Sequence, residues 1–362
     1  MNMQRENRKL EHIRQALQTE SGPLSAGWEE IRIVHQALLK GNWDEVDLSV
    51  SLFHKKLALP IYINAMTGGA LGLEEINRML AETAREYGLG MAVGSQTSAL
   101  QNDQRELVAS YKIAREVNPD GFLMANVGAG VKPEMALAAV EMIEADALQL
   151  HLNGVQELTM AEGDRSFHGL AENIEKICRL VPVPVIVKEV GNGLSKEVAG
   201  QLAQLGVQGV DTGGSGGTNF AAIELNRFPR AHLDGLRFWG IPSAISLLEV
   251  LEALEGGAPK LHVFASGGVT CAQQVLKALV LGADAVGIAG CFLHILQQDG
   301  PAALRKAIAK MTEELKIMML LCSVSNINQL KKVPVVITGL TGEWCVQRGI
   351  NTQKYAQRGI AF

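Results

Sequence analysis

"LHVFASGGVTCAQQVLKALVLGADAVGIAG", residues 261–290, decides how this chain folds. It opens on a short, β-rich apolar run, LHVFAS (261–266), and turns at a glycine pair. In the next segment, QQVLKALVLG, apolar residues return at helical spacing and a glycine stands near the end as a C-cap. A second apolar run, DAVGIA (284–289), follows and again ends on glycine. Strand and helix alternating in this way mean a parallel sheet.

The same unit repeats toward the N-terminus. IYINAM (61–66), LGMAVG (89–94), FLMANV (122–127), ALQLHL (147–152), PVIVKEV (184–190) and VQGVDT (207–212) read as further strands, with helical patterns such as LEEINRMLAETAREYG between them. Eight near-continuous apolar strands with helical crossovers predict an α/β fold of the (β/α)8 TIM-barrel type rather than a doubly wound sheet. Residues 1–60 read as an N-terminal arm and a cover for the barrel floor, and 61–362 as the barrel with closing helices. An excursion, FAAIELNRFPRAHLDGLRFWGIP, separates the sixth strand from the helix SAISLLEVLEAL.

Composition narrows the function. With 47% hydrophobic and 20% charged residues in 362, the chain has the makings of a large core. A formal net charge of -5 gives no basic field for nucleic acid, so any anion must be held locally. Cys178, Cys271, Cys291, Cys322 and Cys345 are odd in number and widely spaced, which suggests neither a disulfide framework nor a structural zinc site. The charged N-terminus, MNMQRENRKLEHIRQAL, lacks the apolar core of a signal peptide, and no apolar run is long enough to span a membrane, so a cytoplasmic protein is expected.

In this fold class the loops at the C-terminal ends of the strands build the active site. Those ends carry Thr67 with a glycine pair, Ser95, Asn126, the segment HLNGVQE (151–157), Lys188, the glycine-rich DTGGSGGTN (211–219), SGGV and GIAG. Loops after the seventh and eighth strands often hold a phosphate through main-chain N–H groups, and the two glycine pairs stand there. DTGGSGGTN reads either as a flexible linker or as bare backbone laid against a ligand. Lys188 closes an otherwise apolar strand; it is a Schiff-base lysine, a lysine escaping to solvent, or a cation beside a flavin ring. Glu157 suits Mg2+ through oxygen, or a helix start. Arg8, Lys9 and His12 cluster outside the barrel, either solvated or as a lid over an anionic substrate.

The motifs RKLEHI, INAMTGG, VGSQTSAL, NVGAG, LHLNGVQE, GDRSFHG, VIVKEVGNGLS, DTGGSGGTNFAAIE, WGIPSA, ASGGV and GIAGCFL span nearly the whole chain. In their order they resemble the type 2 isopentenyl-diphosphate delta-isomerases, FMN-dependent (β/α)8 enzymes. The resemblance implies FMN contacts from Ala65, Met66, Thr67, Ser95, Asn126, Lys188 and Thr218, with Gly268, Val269, Thr270, Ala289 and Gly290 holding the phosphate. It implies substrate contacts from Arg8, Lys9, His12, His151, Asn153 and Gln156, with Glu157 on Mg2+. Gln156, Lys188 and Thr67 are the catalytic candidates. Thr97 stands where some members carry arginine, a departure that bears on one cationic contact to the diphosphate. The implied reaction interconverts isopentenyl and dimethylallyl diphosphate on reduced FMN, with NADPH as reductant, in a homo-oligomer (tetramer or octamer). On this reading DTGGSGGTN lies along the flavin. The rival readings are an FMN oxidoreductase on the same barrel, which would consume NADPH stoichiometrically, and a non-catalytic flavin redox sensor, which would bind no prenyl diphosphate.

Overall fold

The structure is a computed structural model describing residues 22–70, 72–101, 105–255 and 259–359. Eight parallel strands close into a barrel: β1 (Ile61–Ile63), β2 (Gly90–Ala92), β3 (Leu123–Gly128), β4 (Ala147–Leu152), β5 (Val185–Glu189), β6 (Gly209–Asp211), β7 (His262–Ser266) and β8 (Ala285–Ile288). Each falls within, or within one residue of, a segment anticipated from sequence. The ladder closes where β8 pairs with β1, Val286 opposite Ile61. The register sets Gly128 beside His151, His151 beside Lys188 and Lys188 beside Asp211, so these residues are neighbours on adjacent strands.

Every crossover carries a helix. Leu73–Tyr87, between β1 and β2, buries Leu73, Leu80, Ala81 and Ala84, and ends at Gly88, whose φ of 60° lets its N–H reach back to the carbonyls of Ala84 and Arg85. The last helix, Gly290–Leu321, is broken at Gly300 (φ 83°) ahead of Pro301, which cannot supply an intrahelical N–H.

Strand alternation sorts the side chains into two apolar bodies. One fills the space between strands and helices and includes Ile61, Ile63, Val185, Val187, Val263 and Ala265. The other lies inside the barrel and includes Tyr62, Ala92, Met124, Ile186, Phe264 and Ala285, with Leu52 and Leu57 added from outside the strand set. Those two leucines belong to an antiparallel hairpin, Val50–Leu52 with Lys55–Leu57, that covers the floor. At its turn Phe53 sets its ring 4.7 Å from His262, 6.2 Å from Phe122 and 6.4 Å from Phe264. Leu52 is wholly buried, so Leu52→Ala is expected to cost about 2–5 kcal/mol in chemical denaturation. A loss under about 1 kcal/mol would mean that the hairpin is not part of the barrel core.

The described part of the extension also reaches the opposite end of the barrel. Gly22 donates its N–H to the carbonyl of Gly217 at 3.3 Å, at the barrel mouth. Ile31–Ile33 then pairs antiparallel with Val335–Ile337, and the Glu30 carboxylate receives the N–H groups of Leu340 and Thr341 at 2.9 and 2.7 Å. The segment therefore runs from mouth to floor, tied on its way to the C-terminal region. Arg8, Lys9 and His12 lie outside the described residues.

Candidate active site

Beyond the apolar floor the barrel interior turns polar. Asn64, Asn126, Gln149, Asp211 and Ser266 are all buried and joined by hydrogen bonds. Above them opens a cavity of about 1720 Å3, walled by the strand ends and their loops. That exceeds the usual small-ligand cleft and leaves room for a nucleotide-sized cofactor with a second small molecule.

Ala65, Met66, Ser95, Asn126, Lys188, Thr218, Gly268, Val269, Thr270, Ala289 and Gly290 line the cavity, as do His151, Asn153, Gln156 and Glu157. Thr67 does not. It is buried, its hydroxyl bonded to the amide oxygen of Asn77, while its carbonyl accepts the N–H of Gly94 at 2.7 Å. Asn77 is anchored in turn on the Ser110 carbonyl at 2.5 Å. The Thr67 hydroxyl belongs to the joint between the first strand's loop and its helix. Thr97 lines the cavity, its hydroxyl 3.2 Å from that of Ser95.

The glycine-rich loop after β6 lines the cavity through Gly213, Gly214, Gly217 and Thr218, and the protein packed behind it also demands glycine. Gly213 has a φ of 48°, and a Cβ there would fall on the main chain of Glu189. At Gly217 a Cβ would stand 2.5 Å from the nitrogen of Gly268. The β6 and β7 loops pass so close that neither could carry a side chain between them. This packing brings the glycine pair of β7 beside the start of Gly290–Leu321, a helix whose first turn no side chain caps. Uncapped N–H groups at a helix start beside a bare loop are the donor set a phosphate needs, so the residues present fit the phosphate of FMN.

Lys188 is 6% exposed, and its Nζ donates to the carbonyl of Glu189 at 3.0 Å. A buried ammonium with one main-chain partner fits the anionic edge of a ring-shaped cofactor. Next to it, one oxygen of Glu189 collects the N–H groups of Val190, Gly191 and Asn192 at 2.6, 2.9 and 2.6 Å and so shapes the turn after β5. Burial pushes the Glu189 carboxyl up to about 7 against those three donors.

The short helix Gly154–Thr159 carries Gln156 and Glu157. Asn153 donates to Glu157 Oε1 at 2.8 Å, and the N–H of Asp164 reaches Oε2 at 2.9 Å. Among the described residues no group of three or more His, Cys, Asp or Glu could hold a metal. Glu157 stands in the cavity wall as a single carboxylate, each oxygen accepting one hydrogen bond. Gln156 donates to Glu224 Oε1 at 3.2 Å, and Arg227 holds the other oxygen of that wholly buried carboxylate at 2.5 Å. Among the described residues the cavity wall carries Lys132 and Lys188 and no arginine.

Residues 105–336 match the family described as FMN-dependent dehydrogenase. Over 363 residues the chain is 44% identical to the isopentenyl-diphosphate delta-isomerase of Symbiobacterium thermophilum, covering 98% of each. It is 47% identical over 340 residues to the protein of the same name from Moorella thermoacetica, covering 94% of this chain and 96% of that one. Among solved structures, a mandelate oxidase mutant with the monooxide FMN adduct superimposes with a TM-score of 0.66 at 18% identity, over 89% of this chain and 95% of that one. At that identity the likeness speaks for the barrel alone.

Proposed function

Because the chain belongs to the isopentenyl-diphosphate delta-isomerase family, a flavin-dependent group on the (β/α)8 barrel, we propose that it interconverts isopentenyl and dimethylallyl diphosphate with reduced FMN and Mg2+. The observation that carries this reading is one cavity holding Lys188, the segment from His151 to Glu157 and the bare loops after β7 and β8. Bound and reduced, FMN supplies an electron-rich surface and a group that gives and takes a proton, which moving an unactivated double bond requires.

The chain's own residues do the rest. Lys188 would keep the reduced ring anionic, and Gly268, Val269, Thr270, Ala289 and Gly290 would hold its phosphate. Ala65, Met66, Ser95, Asn126 and Thr218 would complete the cofactor wall. Gln156, steadied by Glu224, would orient the alkene or relay a proton. His151 and Asn153 would bind the diphosphate. A diphosphate calls for more positive charge than Lys132 and Lys188 provide, and Arg8 and Lys9, with His12 supporting them, are its proposed source. Gly22 donates its N–H to the carbonyl of Gly217, which lines the cavity.

Glu157 would carry Mg2+. Glu157→Gln is expected to raise the Mg2+ concentration for half-maximal turnover roughly tenfold or more; an unchanged Mg2+ requirement would remove the assignment. The enzyme is further proposed to be a cytoplasmic homo-oligomer, tetramer or octamer, for which exposed Leu340 and Val346 near the C-terminus offer apolar surface. No helix among the described residues is long and apolar enough to cross a membrane.

The test is anaerobic reduction with NADPH, then isopentenyl diphosphate and Mg2+ in D2O followed by NMR. Deuterated dimethylallyl diphosphate formed over many turnovers, with only trace NADPH spent, supports the isomerase. NADPH consumed in step with product would replace it with an oxidoreductase, and a protein that binds flavin but no prenyl diphosphate would be a redox sensor.

A further inference from the structure

The polar layer beneath the cavity has a direction. Asp211 is wholly buried and receives the hydroxyls of Tyr62 and Ser266 at 2.6 and 2.5 Å, the amide NH2 of Asn64 at 2.9 Å and the N–H of Gly213 at 3.3 Å. From the other side the N–H of Ala65 donates to Asn64 Oδ1 at 2.8 Å. A main-chain N–H only donates, so Asn64 must turn its oxygen to Ala65 and its NH2 to Asp211. Gln149 Nε2 then donates to Asn64 Oδ1 at 3.4 Å, and Asn126 Nδ2 donates to Gln149 Oε1 at 3.1 Å. This leaves Asn126 Oδ1, an acceptor, 2.8 Å from Nδ1 of His151. Reversing the chain at Gln149 would set its carbonyl oxygen against that of Asn64, two buried acceptors face to face.

We infer that Gln149 is a positioning residue, passing the orientation of Asn64 through Asn126 so that the proton of His151 is fixed on Nδ1. The neutral ring therefore presents Nε2 as a hydrogen-bond acceptor. It becomes a donor there only by taking a proton and a positive charge, the form that grips an anionic oxygen. Gln149 is 1% exposed and touches the cavity only through this relay. The direction of the relay follows from the hydrogen bonds alone; the consequence for substrate rests on the isomerase reading above.

The test uses the full-length, FMN-loaded protein labelled with 15N in histidine, with His151→Gln identifying the signal. Long-range 1H–15N spectra are expected to show the neutral His151 ring protonated on Nδ1. Gln149→Glu is expected to keep that form, because a buried protonated carboxyl offers Asn126 the same acceptor and Asn64 the same donor. Gln149→Met, similar in shape and lacking both groups, is expected to shift the ring toward the Nε2–H form. It should also raise KM for isopentenyl diphosphate roughly tenfold with a smaller change in kcat. A merely structural role would not separate the two variants in this spectrum. An Nε2–H ring in the unaltered protein overturns the inference, even where Gln149→Met fails to fold. An undisturbed Nδ1–H ring in a folded, flavin-bound Gln149→Met overturns it too. A shifted ring with unchanged KM upholds the relay and removes His151 from the diphosphate.

Discussion

Lys188→Gln is expected to lower turnover by about two to three orders of magnitude without unfolding the barrel. Its ammonium is buried at the end of β5, with His151 and Asp211 beside it on the flanking strands. Glutamine keeps much of the stem and can still donate to the Glu189 carbonyl, so the charge is what is removed. At a buried position that charge acts on negative charge in the reacting complex far more strongly than it would in solution. Lys188→Arg should not rescue, because a planar guanidinium needs more room than a point-like ammonium on a buried strand. Turnover is measured on fully reduced enzyme, so that weaker reduction is not mistaken for slower chemistry. The absorbance of the reduced flavin is followed against pH: loss of Lys188 should raise the pH at which its ring becomes anionic. Turnover within threefold of the unaltered protein would take Lys188 out of the mechanism.

The largest stability effect is expected at Gly213. Gly213→Ala places a methyl group on the main chain of Glu189 and forces a φ of 48° on a residue with a Cβ. Glu189 cannot retreat, because its own carboxylate is wrapped by three N–H groups of the following turn. Gly213 is itself tethered, its carbonyl accepting the N–H of Gly193 at 3.1 Å and its N–H pointing to Asp211. A left-handed backbone conformation and a main-chain collision together should cost about 4 kcal/mol or more, with flavin retention lost as the loop shifts. Gly200→Ala is the control. It lies inside the helix Lys196–Gln204 with nothing near its absent Cβ, and should gain roughly 0.5–1 kcal/mol. Equal denaturation midpoints for the two variants would mean that the loop tolerates a side chain and that its glycines serve something other than packing.

Much of the architecture was legible because it is local. Apolar runs of strand length and helical periodicity, closed by glycine at Gly88 and Gly282, mark the crossovers without reference to anything distant. Once the barrel is granted, the strand ends name the cavity wall, from Asn126 and His151 to Lys188 and Gly268. Only the fold shows which residue Glu224 meets: Gln156, 68 positions away in sequence. The polar layer left a faint signal in the alternation of Tyr62 with Asn64 and of Gln149 with His151, polar residues on the inner parity of apolar strands. Reading it requires knowing that the inner face changes from apolar to polar along the barrel axis.

By itself, then, the sequence determined the number and order of the barrel strands and which loops gather at one end, since these follow from short-range periodicity and turn chemistry. Only the tertiary structure decided the rest. Thr67 lies past the end of β1, where strand alternation no longer dictates direction, and contact with Asn77 turns it away from the cavity. The glycines of DTGGSGGTN are required by backbones that meet only when the barrel closes. The direction of the bonds from Asp211 to His151 is likewise set by neighbours on four different strands and strand ends, and hydrogen-bond polarity is a property of that assembled layer rather than of any segment within it.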